Sequence, residues 1–409
     1  MKLKALVMAG GLGTRMKLKK EKPLIKIYNK TMLERVVEAI KNATKVDETI
    51  IVTSKHTPKT TKWARKLGLR VIEAPGKGFI HDYKYAIRKL QLKKTLIVSC
   101  DLPLVTRAHI NYIIKYYEKC RKPALTVAVP LKLYEKMGLK EKYVIKVEDE
   151  DVIPIGINII DGSLINEAEM DEEVLVIEDE RLAINVNTIN ALKVTRKFLR
   201  QRMYWEKMSI KEACLKLCRQ LEKAVRRNLT EAILLSGGVD TSILALIASK
   251  YVPLKAFTVA FKKGKPIDVK YATIVADFLD IEHHIYYFSE DELFRALPEV
   301  IKVLKTFDPM EVRNSVAIYI ALRVVKEHGV NSVMTGDGSD ELFAGYSYLL
   351  NLNLEELEFE LRRMWSIMSF SSKILAKKLK LEVKLPYLDD KFKSFAMKLS
   401  SKYKVKVEG

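Results

Sequence analysis

Short apolar runs that end in glycine, serine, proline or aspartate alternate along the chain with stretches whose apolar residues recur every three or four positions. The runs KALVMAG, ETIIVTS, LRVIEAP and TLIVSCD, between residues 4 and 101, read as buried strands. Between them, TMLERVVEAIKNA and FIHDYKYAIRKLQL carry apolar residues at helical spacing. Alternation of this kind predicts an α/β sandwich with ligand groups at the carboxyl ends of the strands. From about residue 189 to 229 the pattern turns helical and basic. There Ala213, Leu217, Leu221 and Val225 recur every four residues, an apolar stripe expected to pack on the next sheet. Strands resume in EAILLSGG, LKAFTVAF, HHIYYFS and NSVMTGD, which predicts a second α/β domain. The boundary is expected near residue 205, giving domains 1–205 and 206–409.

Composition narrows the class. The chain has 409 residues, 48% hydrophobic and 30% charged, as expected of soluble domains with proper cores. No apolar run approaches the roughly 20 residues of a membrane helix, and the opening MKLKALVMAGG is a strand and a turn rather than a signal peptide, so a cytoplasmic protein is expected. The net charge of +21 favours anionic ligands, nucleoside triphosphates and phosphorylated substrates as well as nucleic acid. The four cysteines form no CxxC pair, although Cys214 and Cys218 lie one helical turn apart; buried thiols are expected, not a zinc site. Without zinc-type modules, an RNA-modifying role is disfavoured, and the six histidines show no metal-binding spacing.

Two unlike glycine turns carry the candidate chemistry. In MAGGLGTRM, Gly10, Gly11 and Gly13 permit positive φ and let backbone N–H groups approach a polyphosphate, beside Thr14 and with Arg15 as a bidentate charge partner. The element EKPLIKI follows with Lys22 and Pro23. Together these resemble the signature of nucleotidyltransferases, which implies that Lys22 contacts phosphate, that Asp101 in TLIVSCDLPLV binds Mg²⁺, and that Asn187, with Asn185 next, completes the metal site. Taken with IIVTSKHTPKTTKWA, APGKGFIHDY, IPIGINIID and INVNT, residues 1 to about 200 resemble the archaeal adenosylcobinamide-phosphate guanylyltransferases of cobalamin biosynthesis. That likeness implies transfer of GMP from GTP to adenosylcobinamide phosphate with release of pyrophosphate. It also places Gly156, Asn158 and the stretch Gly76 to Gly78 around the nucleotide. Molybdenum-cofactor guanylyltransferases and sugar-phosphate nucleotidyltransferases remain the alternatives.

The second turn, SGGVDTS, has no terminal lysine. It offers backbone N–H groups from Gly237 and Gly238, the hydroxyls of Ser236, Thr241 and Ser242 at a helix start, and Asp240 to hold Mg²⁺ on a pyrophosphate. It resembles the PP-loop of ATP pyrophosphatases. The stretch MTGDGSDELFAGYSYL, with FDPMEVRNS containing Arg313 and LEVKLPYLDDKF, resembles asparagine synthetases and β-lactam synthetases from about residue 210 onward. The two likenesses imply two Rossmann-like three-layer α/β/α domains, the second of adenine-nucleotide α-hydrolase (PP-loop) type with a helical carboxyl-terminal portion.

By the second resemblance, Asp240 and Asp340 bind Mg²⁺, Val259 lies by the adenine, Gly336 and Gly338 line the nucleotide, and Asp337 handles the nitrogen nucleophile. The substrates implied are ATP, a carboxylate and an amine or ammonia, with an amidotransferase or a second copy as partner and neither nucleic acid nor membrane. This sequence departs from that family in three places. Asp337 stands where a glutamate is usual. No glutaminase segment precedes the loop, since residue 2 is lysine, and the lysine-containing K..LR segment is not reached, with Lys373 only near it. A shortened second domain that binds ATP without turnover is therefore a further expectation.

Overall fold

The computed structural model describes residues 2–11, 13, 16, 20–140, 143–167, 169–264 and 267–405; Thr14 and Arg15 lie outside the described residues. The chain divides into two compact units, Met1–Tyr204 with Leu352–Ser366 and Trp205–Asn351 with Ile367–Gly409. A single cut near residue 205 would leave Leu352–Ser366 on the side away from the unit to which it belongs.

In the first unit the strands are β1 (Leu3–Met8), the short hairpin β2 (Lys26–Ile27) and β3 (Lys30–Thr31), β4 (Val46–Ser54), β5 (Arg70–Ala74), β6 (Lys94–Ser99), β7 (Ala124–Pro130), β8 (Ile145–Val147), β9 (Glu150–Asp161) and β10 (Glu172–Val176). Their main sheet runs β10-β7-β9-β6-β1-β4-β5, with β8 paired on β9. It is mixed, because β9 lies antiparallel to both β6 and β7 while β5, β4, β1 and β6 are parallel.

Side-chain alternation builds the layers. Leu3, Ala5 and Val7 of β1 face a core shared with Met32, Val36 and Ile40 of the helix Met32–Lys41 and with Ile110, Ile113 and Ile114 of Arg107–Lys119. Leu6 and Met8 face the other way, onto Tyr83, Ala86 and Ile87 of Phe79–Leu90. One strand thus feeds two cores, the arrangement of a sheet covered on both faces. The helix Leu354–Ile367 joins the first of these cores through Phe359.

The second unit has a sheet of β11 (Ala232–Leu234), β12 (Lys255–Phe261), β13 (Glu282–Phe288), β14 (Ser332–Met334) and β15 (Glu382–Lys384), ordered β13-β12-β11-β14-β15 and parallel throughout. The helix Ile210–Arg227 buries Ala213, Leu221 and Val225 of the expected stripe, together with Ala224, and leaves Leu217 half-buried. It packs against the helices Val239–Ala248 and Asp390–Lys398 and the turn Pro386–Leu388. Cys214 and Cys218 lie on its exposed side and Cys120 is half-buried, which corrects the expectation of buried thiols for all but Cys100.

Both sheets place four of their strands in the order third, second, first, fourth along the chain, reversing direction of travel between the first and the fourth. At such a reversal the loops leaving the two adjacent strands diverge and open a crevice at their carboxyl ends. In the first unit these are the loops after β1 and β6. In the second they are the loops after β11 and β14.

Candidate functional site

The loop after β1 carries Gly10, Gly11 and Gly13, and the loop after β6 carries Asp101. Between them lies a cavity of about 450 Å³ whose lining includes Gly10, Gly11, Lys22, Asp82, Ser99 and Asp101. The Ser54 hydroxyl donates to the Gly10 carbonyl at 2.6 Å and pins the turn to the end of β4. A Cβ at residue 10 would come within 3.1 Å of Ser54 Cβ and Thr53 carbonyl carbon, so glycine there is set by close packing. Gly13 has φ +61°, and a Cβ on it would lie 3.1 Å from Lys22 Cβ; its bareness lets the KPL turn approach the loop.

Lys22 is the centre of this site. Its ammonium donates to Asp101 Oδ2 at 2.6 Å and also to Asn187 Oδ1. Asp101, just past the end of β6, and Asn187, 86 positions further on, meet at one cation although β7 to β10 intervene. A backbone bond from Val186 N–H to the Asp101 carbonyl, 2.8 Å, fixes the two segments side by side. Glu21 steadies Lys22 from the other side: its carboxylate accepts from the N–H groups of Lys59 and Thr60 at 2.8 and 2.7 Å, at the start of the helix Pro58–Lys66.

Asp101 Oδ1 and Asn185 Oδ1 are buried and have no hydrogen-bond partner. The unpartnered Asp101 oxygen, on a carboxylate that shares Lys22 with the Asn187 amide oxygen, fits a hard cation that keeps most of its coordination for water and phosphate, as Mg²⁺ does. Among the described residues no group of three or more His, Cys, Asp or Glu gathers into a richer metal site. Cys100, next to Asp101, is pushed up to about 12 by burial and is a thiol rather than a thiolate.

The far wall of the cavity is the Gly76–Lys77–Gly78 turn. Asp82 Oδ1 accepts from the N–H groups of Gly76 and Lys77, 3.0 and 3.1 Å, and holds this turn open. Gly76 has φ +77° and no room for a side chain, since a Cβ would lie 2.9 Å from the His56 ring. Gly156 sits at φ +79° where β9 bulges opposite β7, against the Ser99 side chain, and reaches the cavity through that residue. Asn158 accepts from the Thr126 hydroxyl at 2.6 Å within the sheet. His56, Asp82 and Ser99 were not singled out from the sequence; only their nearness to the quoted glycine stretches could have marked them.

In the second unit, Ser236 to Ser242 turn from β11 into the helix Val239–Ala248. Ser236 Oγ accepts from Gly238 N–H at 3.3 Å, Ser242 Oγ donates to the Gly238 carbonyl at 2.7 Å, and the Ser236 and Thr241 hydroxyls lie 3.1 Å apart. Gly237 has φ +75°, with Tyr271 and Ala272 backbone atoms 2.4 Å from where a Cβ would stand. The loop after β14 comes alongside: a Cβ on Gly336 would be 3.0 Å from Thr241 Cγ2, and Ser339 Oγ donates to Asp240 Oδ1 at 2.7 Å. Gly338, at φ +94°, starts the short helix Ser339–Phe343 against Leu388. Tyr387 anchors the arrangement by donating to the Asp240 carbonyl at 3.0 Å.

The two motifs quoted from the sequence therefore form one crevice. Loss of solvent and then the neighbouring Asp240 and Glu341 charges push the Asp340 carboxyl up, and carboxylate oxygens of this kind suit a divalent metal. Asp337 is also raised, by burial, and its carboxylate accepts from the Ser372 hydroxyl. Val259 is half-buried on β12, its backbone level with Tyr286 of β13. Arg313 and Lys373 are both exposed, the latter beside Ser372.

Residues 5–151 match the family model of the MobA-like NTP transferase domain, and residues 216–380 match that of asparagine synthase. Each match covers less than half of the chain, the first lying within one compact unit and the second beginning in the other unit and running through the Leu352–Ser366 segment. A probable glutamine-hydrolysing asparagine synthetase of Dictyostelium discoideum is 35% identical over 42% of this chain and 34% of its own length. Asparagine synthetase B of Escherichia coli is 32% identical over 45% of this chain and 37% of its own. The chain spans about a third of the length of the curated relatives it matches. Among solved structures, a CMP:2-keto-3-deoxy-manno-octonic acid synthetase complexed with CTP is similar to 49% of this chain and 99% of its own, at 12% identity and a TM-score of 0.40. No helix among the described residues is long and apolar enough to cross a membrane.

Proposed function

We propose that the first unit transfers GMP from GTP to the phosphate of adenosylcobinamide phosphate, and that the second activates a carboxylate with ATP for amide formation. The observation that carries the first half is the Lys22 ammonium held between Asp101 and Asn187 at the mouth of a glycine-lined cavity. In the transfer, an acceptor phosphate oxygen forms a bond to the α-phosphorus and the bond to the β-phosphate oxygen breaks, releasing pyrophosphate. Negative charge grows on the bridging oxygen and on the non-bridging α-oxygens. Lys22 supplies a fixed cation there, and the backbone N–H groups of Gly10, Gly11 and Gly13 supply dipoles that need no reorganisation. A magnesium ion held by Asp101 and Asn187 would add charge neutralisation at the α-phosphate.

The second reaction has the same form, with a carboxylate oxygen attacking the α-phosphorus of ATP and an amine then displacing AMP. The Ser236–Ser242 turn would bind the leaving pyrophosphate, with Asp240 and Asp340 as metal ligands. A second reading of this unit, ATP binding without turnover, is favoured by the Asp337 carboxylate being engaged by Ser372 rather than presented to an incoming amine.

The test is magnesium-dependent pyrophosphate release from GTP or ATP, with and without adenosylcobinamide phosphate. Pyrophosphate from GTP that depends on the cobinamide acceptor is expected. Release of only orthophosphate and nucleoside diphosphate would overturn both halves, and transfer to a molybdopterin or sugar phosphate in its place would redirect the first. AMP formation from ATP separates turnover in the second unit from binding alone.

A further inference from the structure

A charged cluster lies deep in the first unit, apart from the cavity. The side chains of His109, Asp179 and Arg181 are 0%, 2% and 1% exposed. Arg181 Nε and Nη2 donate to the two oxygens of Asp179 at 3.0 and 2.6 Å, and His109 Nε2 lies 3.1 Å from Asp179 Oδ2. Burial alone would raise Asp179, but Arg181 and then His109 outweigh it and hold the carboxyl well below the usual range.

A second carboxylate completes the balance. Glu358 Oε1 is 3.5 Å from Arg181 Nη1, and its Oε2 is 3.1 Å from Arg202 Nη2. Glu358 belongs to the helix Leu354–Ile367, inside the stretch that matches asparagine synthase, yet it sits in the first unit. The same helix seats Phe359 edge-on to His109, centroids 5.2 Å apart, and Glu355 accepts from the Ala108 N–H at 2.9 Å.

The chain itself links the cluster to the site. Asp179 caps the one-turn helix Glu180–Ala183 that contains Arg181. From there the chain passes through Leu182, Ala183, Ile184 and Val186, each 0% exposed, to the backbone bond with Asp101 and to Asn187. Packed this closely, the segment has little freedom to absorb a shift at Arg181 before it reaches Asn187. Arg181 Nη1 is buried and makes no hydrogen bond, so Glu358, 3.5 Å away, balances its charge; loss of that carboxylate would leave the guanidinium opposed only by Asp179 and, more weakly, Glu355, a costly state in a buried setting that favours a shift of Arg181.

We propose that Glu358 is a positioning residue of the nucleotidyltransferase site, holding through Arg181 the segment that sets Asn187 against Asp101. The proposal rests on the reading of Asp101 and Asn187 as metal ligands. Residues that orient a ligand without touching the ion commonly change metal affinity by about 10–100-fold when altered.

Mn²⁺ is the probe, titrated by electron paramagnetic resonance into the full chain with GTP present. An Asp240→Asn background removes the second unit's loop from the titration. Glu358→Gln keeps the shape and removes the charge, and it is expected to weaken Mn²⁺ binding about tenfold and to speed hydrogen exchange at the Val186 amide. Phe359→Leu removes a ring contact with His109 and keeps every charge of the cluster, and is expected to lower the melting temperature while leaving Mn²⁺ affinity unchanged. Glu358→Asp, which retains the charge, is expected to fall between parent and Glu358→Gln, and it carries the comparison if the glutamine variant does not fold. Unchanged Mn²⁺ affinity and unchanged Val186 exchange in a folded Glu358 variant would overturn the proposal. A parent chain that takes up no Mn²⁺ with GTP would instead remove the metal reading itself, a result distinct from equal affinity in parent and variant.

Discussion

Lys22 joins Asp101 and Asn187, which the sequence set far apart, and its loss should be the most damaging single change to the first reaction. Lys22→Met would leave Asp101 Oδ2 without its partner and take away the fixed cation. Removal of one preorganised electrostatic group of this type costs about 10²–10³ in kcat, and that loss is expected in pyrophosphate release from GTP while ATP-to-AMP conversion stays unchanged. Asp337 gives a second prediction at this scale. Because burial raises its carboxyl in the folded state, the folded chain holds more protons than the unfolded one just above the ordinary aspartate value of about 3.9, so stability falls as pH rises through that window. Asp337→Asn resembles the protonated acid and should melt higher than the parent at neutral pH and equally at lower pH, as differential scanning calorimetry would read. If Asp337 also serves the incoming amine, the same variant loses amide formation, so stability and activity move in opposite directions. Lys22, Asp101 and Asn187 were marked in the sequence by the resemblance of the segments that carry them to nucleotidyltransferases. Asp82 and His56 could not, since a side chain that shapes a neighbouring turn leaves no periodic trace.

At the scale of elements, the glycine turns were legible because each follows an apolar run that must be a strand. Gly237 shows how little freedom such a turn has. With φ +75° and backbone atoms 2.4 Å from an added Cβ, Gly237→Ala has to displace either the turn or the helix Ile267–Leu279. Isothermal titration with ATP is expected to show binding lost or weakened by more than tenfold, while GTP binding at the first unit is retained. The strands that escaped sequence reading fall into two kinds. β2, β3, β8 and β15 are two or three residues each, too short for an alternation to show, whereas β11 and β14, as short as β15, were read from the apolar runs EAILLSGG and NSVMTGD. β7, β9 and β10 lie past the region of clean strand–helix alternation, and the antiparallel insertion of β9 between β6 and β7 is a tertiary choice that no local pattern encodes.

Over the whole molecule, both sheets open their crevice between the first and the fourth strand of a common order, so one topological rule accounts for both candidate sites. Strand order depends on which crossovers the chain takes, and a sequence pattern fixes the elements without fixing that choice. The charge of +21 acts at this scale as well. Long-range attraction of a triphosphate is screened within a Debye length of about 10 Å at 0.1 M salt. The KM for GTP should therefore rise with ionic strength while kcat stays level, and initial-rate kinetics across a salt series would check it.

The placement of Leu352–Ser366 has a consequence for the newborn chain. The ribosome finishes Tyr204 about 150 residues before it reaches this helix, and at about 5–20 residues per second that is a wait of roughly 10–30 s. During that interval the amino-terminal half has every strand of its sheet but not the Phe359 ring that caps its core. A patch of apolar surface around His109 and Tyr112 stays open to water until the late helix emerges, and this is where a holding chaperone would find its grip.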